Sequence, residues 1–143
     1  MAALISFADL GKRSVMMVLD HPVVPAIVLV VEDEMLLRMR AVDMVEDAGY
    51  IPVEAVDAEA AFAILESSPG IGLLFTDIQM PGKMDGLQLA YAVHDRWPAI
   101  EIILVSGQLK LSESDIPPRS RFFGKPLKPD EMIAEMHNMI GHA

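Results

Sequence analysis

Residues able to do chemistry fall at the ends of apolar runs in this chain. Residues 73–86 read LLFTDIQMPGKMDG: a buried type of run meets a carboxylate, Asp77, and turn residues follow. That order places Asp77 at the C-terminal lip of a strand. Residues 26–31 (AIVLVV) likewise run into Glu32-Asp33, residues 101–105 into Ser106, and residues 121–124 lead to Lys125-Pro126. In an open parallel α/β sheet the lip is where ligands bind. Three carboxylates brought together there repel one another, so ionising all of them is costly. A small hard dication relieves the repulsion, and an oxygen-only donor set suits Mg2+. Zinc would want His or Cys, and neither is placed for it. A carboxylate can act as a nucleophile through an aspartyl-phosphate. Asp77 is therefore read as a phosphoryl acceptor, with Mg2+ and the Lys125 ammonium supplying positive charge and Ser106 a hydrogen bond. Acids that merely cap helices would explain Asp33 and Asp57. They would not explain why Asp77 precedes a loop, or why a lysine and a hydroxyl share its edge.

Composition narrows the class. The chain has 143 residues, the length of one domain with a real core, and 52% of them are hydrophobic. Its formal net charge of -10 argues against a nucleic-acid surface. It has no cysteine, which excludes disulfides and thiolate chemistry and fits a cytoplasmic protein. The apolar run at residues 23–31 is too short to cross a membrane and is broken by Pro25. The N-terminus lacks the basic start and long apolar region of a secretory leader.

Five strands alternating with helices must position the reactive residues. Residues 1–22 fall outside the pattern and read either as a loosely ordered extension or as an artefact of start-site choice, given Met16 and Met17. Residues 23–143 are expected to form the domain, and no output domain is expected after it. After the first strand, Leu37, Ala41, Met44, Val45 and Ala48 recur at helical spacing, with Arg38 and Arg40 on the outer side and Gly49 closing the helix. Residues 50–55 read as a short strand, at an edge because of Pro52. Asp57 caps a helix through about Ser67 with Ala61, Phe62 and Leu65 inward. Residues 71–76 are the central strand, and residues 87–96 a helix stopped by Trp97-Pro98. Residues 108–120 carry two prolines and only a short helical stretch. Pro129 opens the last helix, whose inward face is Met132, Ile133, Met136, Met139 and Ile140. Alternating elements of this kind imply right-handed crossovers and a parallel sheet.

The runs VLVVEDE, FTDIQMPGKMDG, ILVSG and FFGKPL, in that order, resemble the receiver domain of two-component response regulators, the CheY-like family. The resemblance covers about residues 26–140. It implies a flavodoxin-like three-layer α/β sandwich with strand order 2-1-3-4-5 and helices on both faces. It implies Asp77 as phosphoacceptor, charged by a sensor histidine kinase or a histidine phosphotransfer protein. Asp33 and Asp77 would ligate Mg2+ with the backbone carbonyl of Gln79, and Glu32 would act through water. Ser106 and Lys125 would hold the phosphoryl group, Lys125-Pro126 would be cis, and Ser106 and Phe122 would form the switch pair.

Four departures from the family pattern stand out. Lys83 lengthens the MPGKMDG loop by one residue, Ser106 stands for the commoner threonine, and Phe122 lacks a hydroxyl. The fourth helix, between Ser106 and Lys125, is expected to be short or missing. Gln79 and Gln108, each two residues past a site residue, are expected to tune phosphoryl lifetime.

Elsewhere His21, His94, His137 and His142 share no ligand spacing, and His94 reads as part of a solvated face. Most of the methionines read as core filler, Trp97 as a packing anchor and Asp85-Gly86 as a cap or turn. The expected protein is a stand-alone receiver, a monomer or weak homodimer, signalling by contact with another protein or acting as a phosphate sink. The rivals are a phosphorylation-independent receiver-like module and a haloacid-dehalogenase-type phosphatase. The latter needs a second Asp where Gln79 stands.

Overall fold

The computed structural model describes residues 24–140. The 1–22 extension, His21 and His142 lie outside the described residues. The elements are β1 (Ile27–Val31), α1 (Met35–Asp47), β2 (Ile51–Ala55), α2 (Ala58–Ser67), β3 (Ile71–Asp77), α3 (Gly86–Arg96), β4 (Glu101–Ser106), β5 (Ser120–Gly124) and α4 (Pro129–Ile140). All strand pairs are parallel and the order is β2-β1-β3-β4-β5. This is the expected flavodoxin-like arrangement, with Pro52 on an edge strand.

The sheet divides the core into two layers. Leu29, Val31, Leu74, Ile102 and Leu104 pack with Ala58, Ala61 and Leu65 of α2 and with Leu89, Ala90 and Val93 of α3. Val28, Val30, Leu73, Phe75, Ile103 and Val105 pack with Ala41, Met44 and Val45 of α1 and with Met132 and Met136 of α4. Strand residues alternate between layers because the side-chain period is two. β3 breaks that period once. Ile27 pairs with Ile71 but Val28 pairs with Leu73, so Gly72 is an extra residue. Ile71 and Leu73 consequently serve opposite layers.

Helix ends follow from local chemistry. Glu34 accepts from the Leu37 N–H and Asp57 from the Ala60 N–H, each at 2.9 Å. Asp85 and Gln88 form a reciprocal capping box. Gly49, at φ 94°, turns the chain out of α1. Where a helix would follow β4 there is a single 3₁₀ turn, Glu113–Asp115. Four exposed residues (Ser112 to Asp115) followed by two prolines leave that stretch only Leu111, Ile116 and Pro117 to sink.

Four expectations on individual side chains need correction. Leu37, placed inward, is exposed, whereas Arg38, placed outward, is largely covered. Its guanidinium donates to the Glu32 carbonyl at 2.9 Å and pairs with Glu54 at 3.0 Å. A cation that can satisfy two acceptors beside the sheet gains more than one left in water, and its stem tolerates burial. His94 is half-buried, and its Nδ1 is buried with no hydrogen-bond partner. Met44, Met132 and Met136 are core residues, but Met35 and Met39 are exposed. Trp97 does anchor the end of α3, packing against Phe62 and under the Arg96 guanidinium.

Leu104 is wholly buried between strands and helices, whereas Ile51 on the edge strand is 44% exposed. Leu104→Ala should cost about 2–5 kcal/mol, and Ile51→Thr no more than roughly 0.5 kcal/mol, in urea unfolding followed by circular dichroism.

Candidate functional site

Parallel register brings the reactive residues to one lip. Val31 pairs with Thr76, Asp77 with Val105 and Ser106 with Gly124. Glu32 and Asp33 therefore emerge beside Asp77, with Ser106 and Lys125 on its other side. The Lys125 N–H donates to the Ser106 carbonyl at 2.9 Å, which keeps the last two strands in step beyond β5. The Lys125–Pro126 peptide is cis, as expected. Lys125 Nζ lies 3.3 Å from Glu32 Oε1 and 3.3 Å from Asp77 Oδ1. One oxygen each of Glu32, Asp33 and Asp77 falls within 4.8 Å of the others.

Charge in this cluster is unbalanced. Glu32 and Asp77 are buried and Asp33 is exposed, so three carboxylates share one ammonium. Burial pushes the Asp77 carboxyl above its ordinary range, against the pull of Lys125. Burial also raises Glu32, against the Glu34 N–H, which donates to it at 3.1 Å; the Asp77 charge adds to the rise. Asp77 Oδ1 is buried and accepts no hydrogen bond. Its ion pair with Lys125 lacks hydrogen-bond alignment. A buried carboxylate oxygen that accepts no hydrogen bond, beside two more carboxylates, is a donor set that a hard divalent cation fits.

The backbone of Asp77 is held as firmly as its side chain is exposed to charge. Thr76 Oγ1 donates to the Asp77 carbonyl at 2.9 Å, and the Ile78 N–H donates to Val105 at 2.9 Å. Gly86 then closes against the same peptide: its N–H donates to the Ile78 carbonyl at 2.9 Å. A Cβ on Gly86 would stand 1.9 Å from the Asp77 carbonyl oxygen. Asp85-Gly86 reads in sequence as a cap or turn, and Asp85 is a cap. Gly86 has a second role that local sequence does not show, as the packing surface for the Asp77 peptide. Only its missing side chain hints at it.

The cluster opens into a cleft of about 510 Å³ lined by Asp33, Ile78, Gln79, Met80, Pro81, Asp85 and Leu109. Ser106 borders this region with its hydroxyl fully engaged. It donates to Gln79 Oε1 at 2.7 Å and accepts from the Gln108 and Leu109 N–H groups at 3.1 and 3.0 Å. The Gln79 side chain thus reaches the site, whereas Gln108 is exposed and contributes its backbone N–H. Phe122, half-buried, packs in the α2–α3 layer. Lys83 lines a separate groove with Asp57, Glu59 and Phe62. A further cavity of about 390 Å³ lies under Lys125, between α1 and residues 125–129, with Phe75 and Val105 among its walls. It arises from how α1 and that segment pack, and no local run of sequence marks it.

Two outcomes follow from this geometry. Gly86→Ala should lower stability by about 2 kcal/mol or more, through overpacking against fixed backbone, and should weaken divalent-ion binding in a Mg2+-dependent melting assay. Asp77→Asn should melt higher than the parent at pH 7 in chelator. A carboxyl whose folded pKa is raised destabilises the fold as pH climbs past its unfolded value. That gain should shrink as the pH falls below the ordinary carboxylate range, and saturating Mg2+ should stabilise only the parent.

The profile of the response regulator receiver domain matches residues 28–137. The chain is 29% identical over 116 residues to the response regulator receiver protein CpdR of Brucella abortus, spanning 79% of this chain and 95% of that protein. It is 34% identical over 119 residues to the sensor kinase CckA of the same organism, where the match spans 80% of this chain but 12% of the kinase. Among solved structures, a response regulator receiver protein from Sinorhizobium medicae superposes with a TM-score of 0.74 at 25% identity, over 80% of this chain and 94% of that one. Fold, lip chemistry and profile agree: the chain belongs to the response regulator receiver domain family of two-component signalling.

Proposed function

We propose that Asp77 accepts a phosphoryl group from a phosphohistidine, on a sensor histidine kinase or a histidine phosphotransfer protein, in a Mg2+-dependent reaction. The observation that carries this reading is the Lys125 ammonium, 3.3 Å from both Glu32 and Asp77, beside a buried Asp77 oxygen that accepts no hydrogen bond. Asp33, Asp77 and the backbone carbonyl of Gln79 would hold the ion, with Glu32 acting through water. Mg2+, when bound, offsets negative charge on the carboxylates and on the phosphoryl oxygens. The Asp77 carboxylate forms the new O–P bond as the donor N–P bond breaks, and the electron pair leaves with the imidazole nitrogen. Lys125 balances charge on the transferred group, and the Ser106 hydroxyl donates to one of its oxygens. Any catalysis is confined to the receiver's own phosphorylation and dephosphorylation.

The match over 95% of the receiver protein CpdR of Brucella favours signalling by protein contact or action as a phosphate sink, and the cytoplasm is the proposed compartment. α1 suits partner contact: beside the lip it exposes Met35, Leu36, Leu37 and Met39. Among the described residues no helix is long and apolar enough to cross a membrane.

Acetyl phosphate should add one phosphoryl group to the intact protein by mass spectrometry. The adduct should require Mg2+ and vanish in Asp77→Asn. Lys125→Ala should slow its formation roughly 100-fold or more, the scale for losing one transition-state charge contact. A parent protein that stays unlabelled with Mg2+ would favour the phosphorylation-independent module instead.

A further inference from the structure

Ser106 stands where a hydroxyl is needed, yet its one proton is already committed. A serine hydroxyl has one donor and two acceptor positions. Here Gln79 Oε1 takes the proton at 2.7 Å, and the Gln108 and Leu109 N–H groups occupy the oxygen at 3.1 and 3.0 Å. Ser106 is 1% exposed, so water competes poorly for any of the three. The Gln79–Ser106 bond joins residues 27 apart in sequence, from the loop that follows β3 to the last residue of β4. We propose that the Gln79 side chain is a latch on Ser106, which must release the hydroxyl before Ser106 can hold a phosphoryl group on Asp77.

The latch builds on the phosphoacceptor reading and adds a regulated step to it. An arriving phosphoryl oxygen and Gln79 Oε1 compete for the same proton, so each Ser106 contact to the phosphoryl group is made at the expense of one existing bond. The two amides that hold Ser106 Oγ belong to Gln108 and Leu109, and Leu109 lines the cleft. Re-aiming the hydroxyl therefore pulls directly on the segment that carries the 3₁₀ turn. Gln79 is a positioning residue in this scheme: it acts on the phosphoryl group through Ser106. Its backbone carbonyl, the expected ion ligand, is unchanged by any side-chain substitution.

The test is a double-mutant cycle read by binding of beryllofluoride, an aspartyl-phosphate mimic, with Mg2+, using fluorine NMR or calorimetry. Gln79→Ala should bind the mimic about threefold to tenfold more tightly than the parent, the scale of one hydrogen bond no longer broken. In a Ser106→Ala background the same substitution should change affinity by less than about twofold. Gln79→Asn, one methylene too short to reach Ser106, should reproduce the Ala result and serves if Gln79→Ala folds poorly. In the free variants the Gln108 and Leu109 amide resonances should shift toward their positions in the mimic-bound parent. Affinity that is unchanged or weaker in both Gln79 variants, or a gain that persists without Ser106, would overturn the latch while leaving Asp77 as the acceptor. A parent protein that binds no beryllofluoride at all would overturn the acceptor reading and the latch with it.

Discussion

One ammonium held between two buried carboxylates is the constraint around which the molecule is arranged. Burial raises the cost of ionising Glu32 and Asp77, and Lys125 offsets part of it. Lys125 in turn reaches them because β5 is in register with β4 and Lys125 directly follows β5. The sheet supplies that register through three strand pairs, and the two core layers fix the sheet from both sides. Folding energy from Leu104, Ile103 and their neighbours thereby supports a local cluster that is itself unfavourable. Such local strain in charge, kept by a well-packed scaffold, is what makes the cluster responsive to a cation or an anion.

Much of this arrangement is legible in the order of residues alone. Asp77, Glu32, Asp33, Ser106 and Lys125 can be read because each follows an apolar run, and a run of that kind says both "strand" and "end of strand". The strand order comes with the family resemblance instead, since local pattern does not choose among neighbours. Helix caps at Asp57 and Asp85 are short-range hydrogen bonds and are equally readable.

Features that depend on two segments meeting are not legible in this way. Arg38 has the pattern of a surface cation because helical periodicity knows nothing of the Glu32 carbonyl or of Glu54 on the next strand. Leu37 has the pattern of a core residue for the same reason. Gly86 has the neighbours of a turn glycine, since its closeness to the Asp77 peptide arises only when the 78–85 loop folds back. The position of Gln79, two residues past Asp77, suggests reach toward an attacking water, but its bond to Ser106 crosses from the loop after β3 to the end of β4. His94 lies on a helix with two charged neighbours, and only packing shows its ring turned partly inward.

The single 3₁₀ turn after β4 has a thermodynamic meaning beyond its shape. A full helix would bury a stripe of side chains and resist rearrangement as a rigid body. The 107–119 segment sinks little more than Leu111, Ile116 and Pro117, so it has few contacts to lose when it opens, and local opening there is correspondingly cheap. Any rearrangement at Ser106, whose Oγ accepts from the Gln108 and Leu109 amides, therefore falls on a stretch of chain with little packing to resist it.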